Sequence, residues 1–346
     1  MPPGARYPLH ASGLAAPDLA LTLPDDAWRQ PSAAVLEPFT GRLTALLGVP
    51  GAALVSASGA GEAVFLALAP FAERGRPVVV EQPAYRAMEQ VVRLLGVSRS
   101  ALSGGRRTAG GSIRRGSMPC WLQPARRSSV SPTRTTRPAP RDAAQRAEVV
   151  RVVERRGALL VVDEIFAPFR GAGAPPAWAS LSDRVLTVGS LTKAWGLGSL
   201  RSGWVIGAAP LVARCEAAHE LVGGLPPTMT LALSLVALDH ATALDARAHA
   251  AARTARAAFA ATAWGQASMR LPDDGIVGFL RLPPGWSSLT TATALRDLDG
   301  VQTGPGRFFG GDGYLRLGIS LPEPDAVEAC RLVAARLNGA PPPASS

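Results

Sequence analysis

Lys193 is the only lysine among 36 basic residues; the other 35 are arginine. Asparagine is just as scarce, with Asn338 alone. Lys and Asn codons are A-rich, whereas Ala, Arg, Gly and Pro codons are GC-rich. The pattern reads as a drift that turns lysine into arginine wherever charge alone is needed. Arginine cannot shed its proton and attack as a nucleophile, so the lysine that survives is the one whose amine reacts. It stands in Gly189-Ser190-Leu191-Thr192-Lys193-Ala194-Trp195-Gly196-Leu197-Gly198, directly after an apolar strand, with Leu200-Arg201-Ser202-Gly203-Trp204 following. Upstream, Leu159-Leu160-Val161-Val162 delivers Asp163-Glu164 at the carboxyl end of another strand, the edge where open α/β sheets place ligands.

A reactive amine, a carboxylate, an arginine and glycine-rich turns at strand ends suit pyridoxal phosphate. That cofactor needs a lysine for its aldehyde, a carboxylate for its ring nitrogen and donors for its phosphate. Two rival readings use the same residues. Val161-Val162-Asp163-Glu164 resembles the magnesium-binding strand of P-loop nucleotidases, but their Gly-Lys-Ser/Thr loop is absent, because the lone lysine lies between Thr192 and Ala194. Ser190-Leu191-Thr192-Lys193 matches the Ser-x-x-Lys of penicillin-recognising hydrolases, yet their Lys-Thr-Gly requires a second lysine, and Ser182-Asp183 is followed by Arg184 rather than Asn.

The elements that must position these residues alternate along the chain. Helical patterns are expected at 34–48, 59–71, up to 95, and 142–156. Apolar strands are expected at 52–56, 77–81, 158–163, 185–189 and 204–207. Continuous apolar strands between helices predict an α/β fold with a mostly parallel sheet sandwiched by helices. A long helix at about 228–262 then leads to a smaller α+β unit with strands near 276–282 and 313–319 and a closing helix at 323–337. The expected organisation is an N-terminal arm (1–34), a large cofactor-binding domain (35–227), and a helical linker with a small C-terminal domain (228–346), whose tail from 339 frays. A length of 346 residues and 47% hydrophobic content suit two such units.

Other classes fall away. No run of 18 apolar residues predicts a transmembrane helix, and the start of the chain does not read as a secretory signal. Cys120, Cys215 and Cys330 are scattered, which suits a reducing cytoplasm rather than a disulfide framework. Cys215 and His219 share a helix face but make a poor metal site on their own, so packing is expected there and no metal. The net charge of +10 raises nucleic-acid binding only until it is located. Residues 101–141 hold nine arginines and no acid, which leaves 27 basic against 26 acidic residues elsewhere. That segment has one aromatic, Trp121, and no recognition fold. Neither nucleic acid nor membrane is expected as a partner.

With these residues in place, the chain resembles the class I/II aminotransferase family of fold type I pyridoxal-phosphate enzymes, from about residue 35 to 338 apart from the Arg-rich segment. The resemblance implies that Lys193 forms the Schiff base with the cofactor and shuttles the proton at the substrate α-carbon. It implies that Asp163 pairs with the ring nitrogen, and that Ser190 and Arg201 hold the phosphate. Ser58-Gly59-Ala60-Gly61 matches a turn at a helix start whose N–H groups, chiefly of Ala60 and Gly61, add to phosphate binding. Tyr85, in Glu81-Gln82-Pro83-Ala84-Tyr85, falls at the aromatic that stacks on the ring. Arg316, in Tyr314-Leu315-Arg316-Leu317, matches the arginine that grips the substrate carboxylate. Amino acid and 2-oxo acid substrates and a homodimer follow from the resemblance. A decarboxylase, lyase or synthase of the same fold, or a degenerate non-catalytic member, are the alternatives.

The pattern breaks in two places. The family's tyrosine three residues after the aspartate is Phe166 here, which has no donor. The family's Asn-Pro-Thr-Gly, about 28 residues before the aspartate, falls at Thr135 and is absent. Codons offer a cause. Thr135-Thr136-Arg137-Pro138-Ala139 is ACN-ACN-CGN-CCN-GCN, and reading from the third base gives NAC-NCG-NCC-NGC, which permits Asn-Pro-Thr-Gly at the expected spacing. The same shift through 118–122 gives an Ala/Leu/Ala run that suits a helix. Residues of about 104–140 are therefore read as translated out of frame, with an interior strand lost and its sheet neighbours left unpaired. The coding DNA tests this: AAC across Thr135–Thr136 and no stop in the shifted frame are expected, and either failure removes the idea.

Overall fold

The computed structural model describes residues 6–23, 25–73, 78–82, 86–97, 99–103, 119–122, 143–170, 175–224, 227–270, 275–309 and 311–340. After the arm, α1 (Ser32–Leu46) leads to β1 (Ala53–Ala57) and α2 (Ala60–Leu68). Next come β2 (Val78–Gln82), α3 (Arg86–Leu94), β3 (Arg99–Ser103), β4 (Pro119–Leu122) and α4 (Ala143–Arg155). The large sheet is completed by β5 (Leu159–Asp163), β6 (Val185–Ser190) and β7 (Gly203–Gly207), followed by α5 (Ala209–Val222). Its strand order is β1-β7-β6-β5-β4-β2-β3.

Side-chain alternation with a period of two assigns each strand residue to one face of this sheet. Val55, Ala57, Val161, Leu186, Val188 and Val205 join one cluster with α2, α3 and α5. Leu160, Val162 and Val185 face the other way, onto Val149, Val150 and Val153 of α4 and onto Trp178. Leu54, Trp204 and Ile206 face a third and larger cluster that includes Phe39 and Leu43 of α1. Helices on both faces of a mixed sheet are thus what the continuous apolar strands require, since each fully buried Val or Leu contributes roughly 1.5–3 kcal/mol.

The interior strand position expected to be lost is filled. Pro119-Cys120-Trp121-Leu122 pairs with both β2 and β5, but antiparallel to each, whereas β2–β3 and β5–β6 are parallel. Buried amide and carbonyl groups of β2 and β5 demand partners from whatever chain is at hand, and a short apolar run meets that demand in either direction. Pro119 is tolerated because it opens the strand. These residues, as written, form a strand; apart from them and the last three residues of β3, the Arg-rich segment, including Thr135, lies outside the described residues.

The long helix expected at 228–262 is two helices. They are α6 (Thr228–Asp239) and α7 (Ala241–Ala261), bent by 75° at His240, whose backbone leaves the helical region at φ −101° and ψ 9°. The bend lets α6 pack along α1 while α7 packs on the closing helix. No single helix among the described residues is long and apolar enough to cross a membrane. The C-terminal unit has a four-stranded sheet ordered β10-β11-β9-β8, made of β8 (Ser268–Arg270), β9 (Val277–Arg281), β10 (Gly304–Pro305) and β11 (Tyr314–Gly318). Helices α8 (Ser288–Asp299) and α9 (Glu323–Leu337) complete it.

The arm does not hang free. Tyr7 forms a parallel bridge with Val301, the Gly318 N–H donates to the Leu9 carbonyl at 2.7 Å, and Tyr7 and Leu9 are buried. Cys215 and Cys330 are buried free thiols, each pushed up to about 12 by burial, and they behave as packing. No metal-binding cluster exists among the described residues.

Candidate active site

The large sheet gathers the site at one edge. Asp163 ends β5 and Ser190 ends β6. Strand β7 runs opposite to β6 and β1, so its first residue, Gly203, pairs with Ser190 and Ala57 at the same edge. Arg201 immediately precedes β7, and Lys193 follows β6 by three residues. Strand direction, rather than proximity in sequence, brings them together.

The turn that opens α2 is built by close packing. Gly59 caps α2 with φ +91°, and a Cβ there would sit 2.5 Å from Arg201 Nη2. A Cβ on Gly203 would lie 2.5 Å from the Gly59 backbone. Both positions need glycine so that β7 and the Arg201 side chain can lie against the start of α2. Arg201 itself has φ +53°, the only non-glycine positive φ among the described residues, a conformation that costs of order 1 kcal/mol and is held by its surroundings. Its Nη2 donates to the Ser58 carbonyl at 2.9 Å. An exposed guanidinium beside the first N–H groups of a helix, those of Ala60 and Gly61, forms an anion cradle. Ser190 is buried, and its hydroxyl accepts the Thr192 N–H at 3.2 Å, so it orients the loop that carries Lys193.

Gly59→Ala tests this packing. The added methyl displaces Arg201 and strains a positive φ, and cofactor affinity is expected to fall at least about tenfold, which corresponds to roughly 1.4 kcal/mol. Titration with pyridoxal phosphate followed by tryptophan fluorescence measures it.

Asp163 is half-buried at the strand end. Desolvation pushes its carboxyl up to about 6, the neighbouring Glu164 charge adds to this, and the Ile165 N–H and Lys193 oppose it. That N–H donates to Oδ1 at 2.9 Å, and no ion pair is made to Asp163 among the described residues. A desolvated carboxylate that makes no ion pair among the described residues fits a protonated ring nitrogen. Burial pushes the Lys193 amine down, the Arg316 and Arg201 charges act the same way, and Asp163 opposes them. An amine poised toward its neutral form is what nucleophilic attack on an aldehyde needs.

Arg316 lies in β11, paired with Gly304 on one side and Phe279 on the other. Its guanidinium stacks 4.6 Å over Phe309 and donates to the His10 carbonyl. Phe166 stacks on Phe169 at 6.2 Å and contributes a ring, not a donor. Tyr85 lies outside the described residues.

Sequence reasoning missed two features. Glu164, next to Asp163, is a buried hub that accepts the Trp178 N–H at 3.0 Å and Arg170 Nη1 at 2.9 Å, with Arg146 Nη2 at 3.9 Å. Arg146 also donates to the Pro176 carbonyl at 3.0 Å and covers the Trp178 ring at 4.6 Å. The signal was present: Arg146 occupies the same helix stripe as Val149, Val150 and Val153. The second omission is the arm itself, where Ser12 meets Lys193 Nζ at 2.7 Å. Only the Ser12-Gly13 pair marked it, and a single glycine in an irregular stretch is a weak sign.

The fold is that of the fold type I pyridoxal-phosphate enzymes. A family model for class I and II aminotransferases matches residues 142–333, more than half of the chain. The chain belongs to this family and is an aminotransferase-type enzyme. Capreomycidine synthase of Streptomyces vinaceus is 28% identical over 298 residues, covering 80% of this chain and 72% of that protein. An arginine–pyruvate transaminase of Pseudomonas aeruginosa is 29% identical over 183 residues, covering 51% and 47%. Among solved structures, an α-aminoadipate aminotransferase from Thermus thermophilus, complexed with N-(5'-phosphopyridoxyl)-L-leucine, superposes with a TM-score of 0.73 at 20% identity, covering 97% and 92%.

Proposed function

We propose that this enzyme moves an amino group from an amino acid to a 2-oxo acid with Lys193 as its reacting amine and Asp163, Ser190, Arg201, Ala60 and Gly61 as its cofactor cradle. The single observation that carries the reading is the arrangement at one sheet edge of an amine held toward neutrality and a desolvated carboxylate. When bound, pyridoxal phosphate supplies an electron sink for charge developed at the substrate α-carbon. Asp163 holds a proton on the ring nitrogen by its negative charge. Arg201, Ser190 and the start of α2 hold the phosphate. Lys193 Nζ takes the α-proton and returns it at the second carbon. Arg316, braced by Phe309 and the arm, takes the substrate carboxylate. Tyr85 is proposed as the ring's stacking partner.

A second reading, a synthase or lyase, draws on the relative from Streptomyces vinaceus, because the same residues serve whichever bond at the α-carbon stands perpendicular to the ring. One experiment separates the two. Under transamination, an amino acid alone bleaches the visible cofactor band and a 2-oxo acid restores it, with one new amino acid formed per cycle. Release of carbon dioxide or ammonia without that cycling supports the second reading.

We also propose a homodimer in the cytoplasm. Trp28, Leu221, Val222 and Met229 are exposed, Trp28 in the Ala27–Arg29 turn that packs on α6, and large apolar side chains left exposed suit contact with a second copy. The buried free thiols suit a reducing compartment.

A further inference from the structure

The arm crosses the site between two fixed ends. The Leu9 carbonyl is held by Gly318 at 2.7 Å, the Leu14 N–H donates to the Lys193 carbonyl at 2.8 Å, and Arg247 Nη2 donates to the Ala15 carbonyl at 2.8 Å. Between them Gly13 lies flat on the lysine, since a Cβ there would sit 2.9 Å from Lys193 Cα and 3.1 Å from its Cδ. One residue earlier the Ser12 hydroxyl meets Lys193 Nζ at 2.7 Å. Of the six residues from His10 to Ala15, only His10 and Ser12 carry a polar side chain, and the His10 carbonyl takes Arg316.

We propose that Ser12 is a positioning residue for the Lys193 amine, an inference that rests on Lys193 being the reacting group. A lysine amine on a four-carbon stem rotates freely unless something fixes it, and an amine that carries a proton between two carbons needs one orientation; a misplacement of about 1 Å can cost about 100-fold. The Ser12 oxygen accepts one Nζ–H, keeps its own proton throughout, and so directs the remaining valences of the nitrogen. The backbone bonds at Leu9, Leu14 and Ala15 fix the hydroxyl in turn. The other charged groups that act on this amine are Asp163 from β5, Arg316 from β11 and Arg201 from the turn before β7, with His10 in the field of Arg316.

The solitary lysine makes the test direct, because lysine labelled with nitrogen-15 gives one side-chain signal in the full chain. In cofactor-free Ser12→Ala the Lys193 titration midpoint is expected to fall by about one unit, since the ammonium form loses an acceptor. In the loaded enzyme kcat is expected to fall about tenfold with KM within about twofold, because the contact acts on the proton transfer rather than on substrate binding. Ser12→Thr, which keeps the hydroxyl, restores both. An unchanged midpoint and kcat in Ser12→Ala overturn the proposal. So do losses that Ser12→Thr shares in full, which would mark a packing role; Ser12→Cys provides the comparison if the alanine variant fails to fold. An active Lys193→Ala enzyme would instead remove the functional reading itself, so the two failures are distinguishable.

Discussion

Lys193→Arg keeps the positive charge and abolishes amino transfer, with kcat falling at least about 10⁴-fold. A guanidinium stays protonated at every working pH and can neither attack an aldehyde nor accept the α-proton. Elsewhere in the chain arginine supplies every basic charge, 35 of the 36 basic residues being arginine, so lysine at position 193 is not explained by charge alone. Steady-state transfer assays measure the effect, alongside Lys193→Ala, which loses activity to the same extent. A Lys193→Arg enzyme retaining even a few per cent of activity contradicts the assignment.

Asp163→Asn lowers kcat by about 10²–10³-fold, as expected when a charge aimed at the developing transition state is removed, and it stabilises the cofactor-free protein. The sign follows from the carboxyl being pushed up to about 6 from an ordinary 3.8. A folded-state value above the unfolded one means that the folded chain holds the proton longer, so stability falls as pH rises from about 3.8 through 6 and the loss is complete above 6. That loss is up to about 3 kcal/mol, and the neutral amide escapes it. Urea denaturation of the cofactor-free forms should show the variant ahead at pH 8 and level with the parent below about pH 3.8. Pyridoxal phosphate should then stabilise the parent more than the variant, because only the parent has a charge to neutralise. Equal stability at pH 8 would show that Asp163 is not the desolvated group described. Sites that hold such groups trade stability for function.

Most of the large sheet could be read from the sequence, because a continuous apolar strand ending in Asp163 and another ending at Ser190 have one good solution, a sheet covered on both sides. What could not be read depended on distance in sequence. The 75° break at His240 has no glycine or proline to announce it; it arises because α6 and α7 find different partners. Strand β4 forms because β2 and β5 need hydrogen bonds, a demand that its own residues do not reveal and that fixes no direction. Lys193, Asp163, Ser190 and Arg201 could be singled out as candidates because they sit at or near strand ends within about 40 residues of one another. Ser12 was not, because it reaches Lys193 across 181 residues from a segment without periodicity. Arg146 carried a local sign, a cation on an apolar helix stripe, that pointed to a buried acid without naming Glu164.

Whether the one lysine of this chain carries the cofactor is decided by borohydride reduction followed by peptide mass mapping. Reduction of the loaded enzyme is expected to bleach the visible band, abolish activity and leave a phosphopyridoxyl group on the peptide containing Lys193, while Lys193→Ala is not labelled. Protein that binds the cofactor but yields no modified Lys193 peptide, or a Lys193→Ala variant that is labelled elsewhere and stays active, would contradict it.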